Sequence, residues 1–140
     1  MDMKQKSTKL TVATKGSGFT DVTEQLRRFV SQSGVQSGLL TVFIPHTSAS
    51  LLIQENADPD VLRDLEGAFA GLAPRDADYR HTTEGPDDMP AHIRSSLTQT
   101  SLSIPIEAGA LALGIWQAVY LFEHRDAPHQ RTLVLHIIGE

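Results

Sequence analysis

The sequence of 140 residues contains no cysteine and no long apolar segment. Without cysteine, the chain forms no disulfide and offers no thiolate to a metal ion. No apolar run approaches the roughly 20 residues of a membrane-spanning helix, and the polar residues 1–9 lack the apolar core of a secretory signal. We therefore expect a single cytoplasmic domain over residues 1–140, with no membrane partner.

Lysine is scarce, and all four lysines lie within the first fifteen residues. The net charge is −5, and residues 55–88 contain ten acids against three arginines. Nucleic acids are bound mainly through lysine and arginine at their phosphates, so no nucleic-acid partner is expected. Most of these acids are expected to lie on solvated helix surfaces, although they would also attract cations.

Apolar periodicity predicts an α+β domain. Alternating or continuous apolar runs predict strands in these places: residues 7–14, 39–44, 102–106, 115–123 and 133–138. Helical spacing predicts helices after residue 20, from residue 59 and over residues 89–97. We expect a mostly antiparallel sheet or sandwich of about five to seven strands with two or three inserted helices, in which the last two strands form a hairpin.

Polar side chains collect where the predicted strand 39–44 ends. Pro45 ends the strand because it has no N–H for the ladder. An imidazole and three hydroxyls follow, from His46, Thr47, Ser48 and Ser50. The hydroxyls would either bind an anion together with backbone N–H groups or form hydrogen bonds with backbone groups of the turn that leaves the sheet. A serine nucleophile is disfavoured because no Gly-x-Ser-x-Gly turn surrounds these serines.

Three of the six histidines are candidates for a metal site. His46 lies at a strand end, His81 in a polar loop and His92 near a helix start, and each has acids within a dozen residues. Three neutral imidazoles with an open fourth position suit a zinc-like ion. The other three histidines are not expected to bind a metal. His136 is predicted to lie in the protein core on a central strand, and His124 and His129 are predicted to face solvent on either side of a turn.

Two further groups have alternative interpretations. Glu123 and Arg131 flank the predicted hairpin turn and would form a cross-strand ion pair, or would act on a substrate. Gln117, beside the only tryptophan, is either a hydrogen-bonding residue within the sheet or a ligand contact.

Several short motifs occur in an order that resembles the YjbQ-like family. They are His-Thr-Ser-Ala-Ser at 46–50, Glu-Asn-Ala-Asp at 55–58, Tyr-Arg-His at 79–81, Pro-Ala-His-Ile at 90–93, Leu-Gly-Ile-Trp-Gln at 113–117 and Glu123. The resemblance covers nearly the whole chain from about residue 9. Members of this family are described as secondary thiamine-phosphate synthases, which join a pyrimidine pyrophosphate to a thiazole phosphate.

The resemblance implies a homotrimer with a divalent metal ion, expected to be zinc, and a phosphorylated small-molecule substrate. It implies that His46, His81 and His92 hold the metal. His46, Gln117 and Glu123 are then the expected catalytic residues. The expected substrate-binding residues are Thr47, Ser48, Asn56 and Arg131.

One turn departs from the family pattern. The family usually has Glu-x-Asp-Gly-Pro-Arg, whereas this chain has Ala127 in place of the glycine and His129 in place of the arginine. Two other functions stay open beside the enzyme. One is a non-catalytic trimer that binds a metal or a phosphorylated metabolite, which the lack of a recognised nucleophile favours; the other is a purely structural oligomer.

Overall fold

A computed structural model describes residues 2–140, which form eight strands and three helices. The strands are β1 (Lys4–Ala13), β2 (Gly18–Asp21), β3 (Gly38–Phe43), β4 (Ala49–Glu55), β5 (Ser101–Glu107), β6 (Ala110–Leu111), β7 (Gln117–Glu123) and β8 (Gln130–Gly139). The helices are α1 (Thr23–Ser33), α2 (Pro59–Leu72) and α3 (Asp88–Leu97). None of the helices in this part of the chain is both long and apolar enough to cross a bilayer.

The strands form two antiparallel sheets. The larger sheet has the order β1-β8-β3-β5-β6, and the smaller has the order β2-β7-β4. Apolar side chains from both sheets and from α1 make one continuous core, which includes Leu26, Leu40, Leu121 and Leu133. The predicted α+β class with inserted helices is thus confirmed, while the trimeric assembly stays a prediction.

The predicted hairpin at the C-terminus is wrong. Strand β7 pairs with β2 and β4, whereas β8 pairs with β1 and β3 in the other sheet. The turn after Glu123 therefore carries the chain from one sheet to the other. Any apolar strand can pair with several others, and only long-range packing selects its neighbours.

Two histidine assignments are also wrong. His124 is only 2% exposed, because it continues the buried run that ends β7. His136 does not lie in the core: β8 alternates, so its neighbours Leu135 and Ile137 are buried while His136 is half-buried on the opposite face. There its Nε2 lies 3.1 Å from Gln5 Oε1.

Short-range signals place the helices. Asp58 accepts a hydrogen bond from the Asp60 N–H at 2.9 Å and so caps α2, with Pro59 in the first turn. Helix α3 follows a polar loop and begins at Asp88. It packs against β4, and His92 in its second turn contacts Thr47 in the segment that leaves β3.

Candidate metal centre and anion pocket

A carboxylate and two imidazoles meet at the start of α3. Asp88 and His92 are four residues apart on the helix and therefore share a face, and His81 comes from the preceding loop. Asp88 Oδ2 lies 2.6 Å from His81 Nε2 and 3.1 Å from His92 Nε2. One donor atom from each residue lies within 4.8 Å of the others, and Asp88 is buried. This group is named the His-Asp cluster.

Contacts behind the His-Asp cluster fix its orientation. His92 Nδ1 lies 3.2 Å from the Thr47 carbonyl oxygen and donates to it, which leaves Nε2 facing Asp88. The Asp88 Oδ1 atom lies 3.0 Å from Arg125 Nη1. Arg125 in turn donates from Nε to Asp87 at 2.9 Å. His92 and Asp88 are therefore each held by a second polar contact, as is usual for metal ligands.

The local charges keep the carboxylates ionised. The hydrogen bond from Arg125 lowers the pKa of Asp87 to about 2. Burial raises the pKa of Asp88, but the hydrogen bond from His81 and the charges of His92 and Arg125 outweigh it, so the net pKa is lowered. Asp88 thus presents a negative oxygen to its two imidazoles. Two histidines, one carboxylate and an open position are a ligand set that zinc enzymes use.

His46 lies outside the His-Asp cluster. Its Nε2 accepts a hydrogen bond from the Thr132 N–H at 2.9 Å. Burial and the charge of Arg131 lower the pKa of His46. The structure thus brings His81 and His92 together but supplies Asp88 as the third donor. From the sequence, Asp88 was expected only as one of several acids (with Glu84 and Asp87) that could orient the histidines, although its spacing of four from His92 was an available signal for a ligand.

His46 instead lines a cavity of about 540 Å³ at the end of β3, together with Thr47, Ser48 and Arg131. This cavity is named the anion pocket. Arg131 Nη2 donates to Ser48 Oγ at 3.0 Å and to the Ser48 carbonyl oxygen at 3.2 Å. A smaller adjoining cavity of about 260 Å³ is lined by both His46 and His92. The anion pocket and the His-Asp cluster therefore border one continuous surface.

Glu123 anchors the arginine of the anion pocket. Its Oε1 accepts from Arg131 Nε at 2.8 Å and from Thr14 Oγ1 at 2.7 Å, and its Oε2 accepts from Arg131 Nη2. Burial raises the pKa of Glu123, but the hydrogen bonds from Arg131 and Thr14 outweigh it and the net pKa is lowered. The predicted ion pair is present, although it joins two sheets. With Glu123 fully buried, its visible role is to position Arg131.

Asn56 and Gln117 lie away from the anion pocket. In the β4–β7 register, Ala49 faces Glu123 at one end and Glu55 faces Gln117 at the other. The two ends are roughly 20 Å apart at the usual rise per residue. Asn56 Nδ2 donates to the Ile115 carbonyl oxygen at 3.1 Å, and Gln117 Oε1 accepts from the Gly114 N–H at 2.7 Å. Both residues hold the turn before β7 instead of lining the pocket.

A serine–histidine pair occurs deeper in the protein. Ser50 Oγ lies 2.8 Å from His124 Nε2, and Thr98 Oγ1 donates to Ser50 at 2.5 Å. Ser50 is 0% and His124 is 2% exposed. Burial and the charge of Arg94 lower the pKa of His124 to about 3. The pair is closed to substrate, and it joins α3 to β4.

The fold and the site define a small α+β protein with a His-Asp cluster beside an arginine-containing pocket. Residues 8–140 match the family of UPF0047 proteins that are YjbQ-like. The chain belongs to this family, which confirms the resemblance inferred from its motifs.

Relatives match over nearly their whole length. UPF0047 protein sll1880 of Synechocystis is 58% identical over 94% of this chain and 90% of its own. A Clostridium acetobutylicum crystal structure, described as an uncharacterized conserved protein of the YjbQ/UPF0047 family, is 40% identical, with a TM-score of 0.86 over 93% of this chain and 98% of its own. A Sulfolobus solfataricus structure, described as of unknown function, has a TM-score of 0.91 over 99% of this chain and 100% of its own. At 21% identity, this last match supports the fold alone.

Proposed function

We propose that the protein is a metal-dependent enzyme that transfers or hydrolyses a group on a phosphorylated small molecule. The observation that carries this proposal is the 3.2 Å contact between His92 Nδ1 and Thr47, which joins the His-Asp cluster to the anion pocket. The proposed cation site and the proposed anion site thus share one surface. Clustered, charge-paired titratable groups of this kind are typical of active sites.

The metal in this proposal is zinc, held by His81, Asp88 and His92. Nitrogen donors favour zinc over magnesium or calcium, which prefer oxygen ligands. When bound, a divalent ion would supply positive charge that stabilises charge developing on phosphoryl oxygens. His46 is not a metal ligand in this arrangement; it lines the cavity that it shares with His92. With Nε2 accepting from the Thr132 N–H, the proton of the neutral ring lies on Nδ1, and His46 is proposed to donate a hydrogen bond to the substrate from that atom.

The phosphate of the substrate is proposed to bind in the anion pocket. Glu123 fixes the guanidinium of Arg131 and compensates its charge, so Arg131 is proposed to bind the phosphate by hydrogen bonds. Thr47 and Ser48 add hydroxyl groups at the same rim. The specific reaction proposed from the family resemblance is the joining of a pyrimidine pyrophosphate to a thiazole phosphate.

The proposal is tested by loading purified protein with zinc and measuring turnover of those two substrates, with metal content determined by mass spectrometry. We expect about one zinc per chain, and turnover that is lost on chelation and restored by zinc. Asp88→Asn should lose both metal and activity, whereas Asp60→Asn, which changes an exposed acid, should lose neither. Turnover that persists after complete metal removal would contradict the proposal.

A second candidate is a non-catalytic protein that binds a phosphorylated metabolite through the same pocket. The burial of Ser50 and His124 favours it, because the one serine–histidine pair described here cannot reach a substrate. A thermal-shift series with phosphate and phosphate esters separates the two functions. Stabilisation by ligand without turnover of the tested substrates would support binding alone.

The proposed assembly is a homotrimer in the cytoplasm. The outer face of the larger sheet exposes apolar side chains that a partner subunit would cover, since Leu39, Phe43 and Ile138 are each about two-fifths exposed. They lie on neighbouring strands, and Leu39 is directly paired with Ile138. Contiguous exposed apolar residues of this kind favour association.

A further inference from the structure

We propose that the open edge of β1 binds an acidic, extended segment of a partner protein, which adds a strand to the larger sheet. The residues that carry this inference are distinct from those of the His-Asp cluster and of the anion pocket. The inference therefore goes beyond the proposed function, and either of the two can fail without the other.

Strand β1 is an edge strand with outward-facing backbone groups. Within residues 2–140 it pairs only with β8, and its first six residues, Lys4–Lys9, are exposed. In an antiparallel ladder, residues that exchange hydrogen bonds with the neighbouring strand alternate with residues whose N–H and C=O groups point away from it. The Thr14 N–H donates to the His129 carbonyl oxygen at 2.8 Å and continues the β1–β8 register. Residues 7 and 9 therefore point their backbone groups outward, where a further strand can pair with them.

A groove of about 290 Å³ lies along this edge, between β1 and α1, and is named the edge groove. Five consecutive residues of β1, 6–10, line one side of it. Residues of α1 that share one helical face line the other side: Gln25, Arg28, Phe29 and Gln32. The buried side chains of Phe29 and Leu135 give the edge groove an apolar floor. A strand added to β1 would thus lie beside α1 with apolar surface beneath it.

Three cations line the edge groove. Lys6 and Lys9 come from β1, and Arg28 comes from α1. None of the three forms an ion pair with another of residues 2–140, whereas the neighbouring Arg27 is paired with Glu24. Strand β1 contains no acid. Uncompensated positive charge in a chain whose net charge is −5 favours a partner that carries acids.

The same charges disfavour a second copy of β1 as the occupant. Two paired β1 strands would place their lysines side by side, and lysines at a strand edge commonly prevent such pairing. Arg28 lies on a helix, so protection of the edge does not account for it. An added strand also pairs with the outward N–H and C=O groups of residues 7 and 9, whereas a single anion can accept only from the N–H groups.

The register of β1 fixes the pattern that the partner should have. On an antiparallel strand opposite residues 10 to 6, the side chains opposite 10, 8 and 6 lie on the face towards α1, and those opposite 9 and 7 lie on the other face. Apolar residues opposite 10 and 8 would cover Phe29 and Leu135, and acids opposite Lys9 and Lys6 would pair with the cations. The probe peptide is therefore Val-Glu-Val-Thr-Glu, blocked at both ends.

Titration of ¹⁵N-labelled protein with this peptide tests the proposal. We expect the amide signals of residues 7 and 9 to shift and to gain protection from hydrogen exchange, because their N–H groups gain acceptors. Those of residues 8 and 10 already bond to β8 and should gain little. Methylating the backbone nitrogens of the first glutamate and the threonine, which face β1, should abolish binding. Methylating the nitrogens of the two valines, which face away, should not.

Charge variants locate the acids of the peptide. Arg28→Glu and Lys6→Glu should each weaken binding at least about tenfold, because each places an acid beside the last glutamate of the peptide. Both variants should instead prefer the peptide Val-Glu-Val-Thr-Lys, which shows that they are folded. Arg27→Glu changes the adjacent arginine of α1, which lies outside the edge groove, and should leave the affinity unchanged.

Several results would overturn the proposal. Amides of residues 7 and 9 that are protected in the free protein would show that another subunit covers the edge. Equal weakening by Arg27→Glu and Arg28→Glu, or equal affinity for the peptide Val-Lys-Val-Thr-Lys, would show that the cations of the groove do not select the partner. Inorganic phosphate that shifts the same amides as the peptide would indicate a small-anion site, and no binding at about 1 mM peptide would also refute strand addition. Zinc binding at the His-Asp cluster is measured separately and does not depend on any of these results.

Discussion

His92 and Thr47 are 45 residues apart in the chain and are joined by a 3.2 Å hydrogen bond from the imidazole Nδ1 to the backbone carbonyl. This contact fixes which ring nitrogen of His92 faces Asp88. It also ties the second turn of α3 to the segment that carries Thr47 and Ser48. The geometry of the candidate site therefore depends on the packing of α3 against β4, and several measurable consequences follow from that dependence.

The first prediction concerns Arg125, which touches Asp88 and Asp87 without belonging to the His-Asp cluster. Arg125→Gln removes the charge that orients both carboxylates. We expect zinc affinity to fall about 10–100-fold, as for other residues that orient metal ligands. Isothermal titration with zinc measures the change. Arg27→Gln, which breaks an exposed pair with Glu24, is the matched control, and an equal loss in both variants would refute the role of Arg125.

The second prediction concerns the buried pair of Glu123 and Arg131, whose side chains are 0% and 6% exposed. Replacing Arg131 with methionine leaves an unpaired buried carboxylate, so the free energy of unfolding should fall by about 3–5 kcal/mol. Urea denaturation measures the loss. Arg63→Met breaks an exposed pair with Asp60 and should cost under about 1 kcal/mol.

A further substitution separates charge burial from packing in that pair. Adding Glu123→Gln to Arg131→Met removes the stranded charge and should recover part of the loss. A double variant that is less stable than Arg131→Met would contradict the electrostatic explanation.

The third prediction concerns pH and His124, whose pKa is lowered to about 3 by burial and by the charge of Arg94. A histidine in the unfolded chain titrates near pH 6.5. Below that pH, His124 therefore binds a proton in the unfolded chain but stays unprotonated in the folded chain. The stabilisation is complete above pH 6.5 and is lost as the pH falls from 6.5 towards 3, with a slope of up to about 1.4 kcal/mol per pH unit.

Carboxylates such as Asp87 and Glu123 also have lowered pKa values and destabilise the protein in acid in the same direction. The comparison with His124→Gln isolates the histidine, because the amide keeps a polar group near Ser50 but does not titrate in this range. We expect the variant to lose less stability between pH 6.5 and 4 than the wild type. Parallel stability curves would show that His124 binds a proton in the folded state.

The fourth prediction concerns the outer face of the larger sheet. Ile138 is 39% exposed in the single chain. Ile138→Lys places a charge among exposed apolar residues, and burying that charge against a partner subunit would be costly. Analytical ultracentrifugation should show a trimer for the wild type and a smaller species for this variant. Leu72→Lys, at an exposed leucine on α2, should leave the trimer intact, and a wild-type monomer would refute the proposed assembly.

The sequence by itself determined the local elements. Alternation marked β1, apolar spacing marked α1, and Asp58-Pro59 marked the start of α2, because each depends on residues within one or two turns of one another. It also indicated His81 and His92 as neighbours of one site, and Arg131 as the partner of Glu123.

Only the tertiary structure decided which elements meet. It separated β7 from β8, placed Asn56 and Gln117 at the far end of β4 and β7 from the anion pocket, and gave the cluster Asp88 in place of His46. Strand neighbours and register depend on contacts between residues far apart in the chain. Local propensity and periodicity do not depend on those contacts, so packing of the shared core determines which strands pair and in which register.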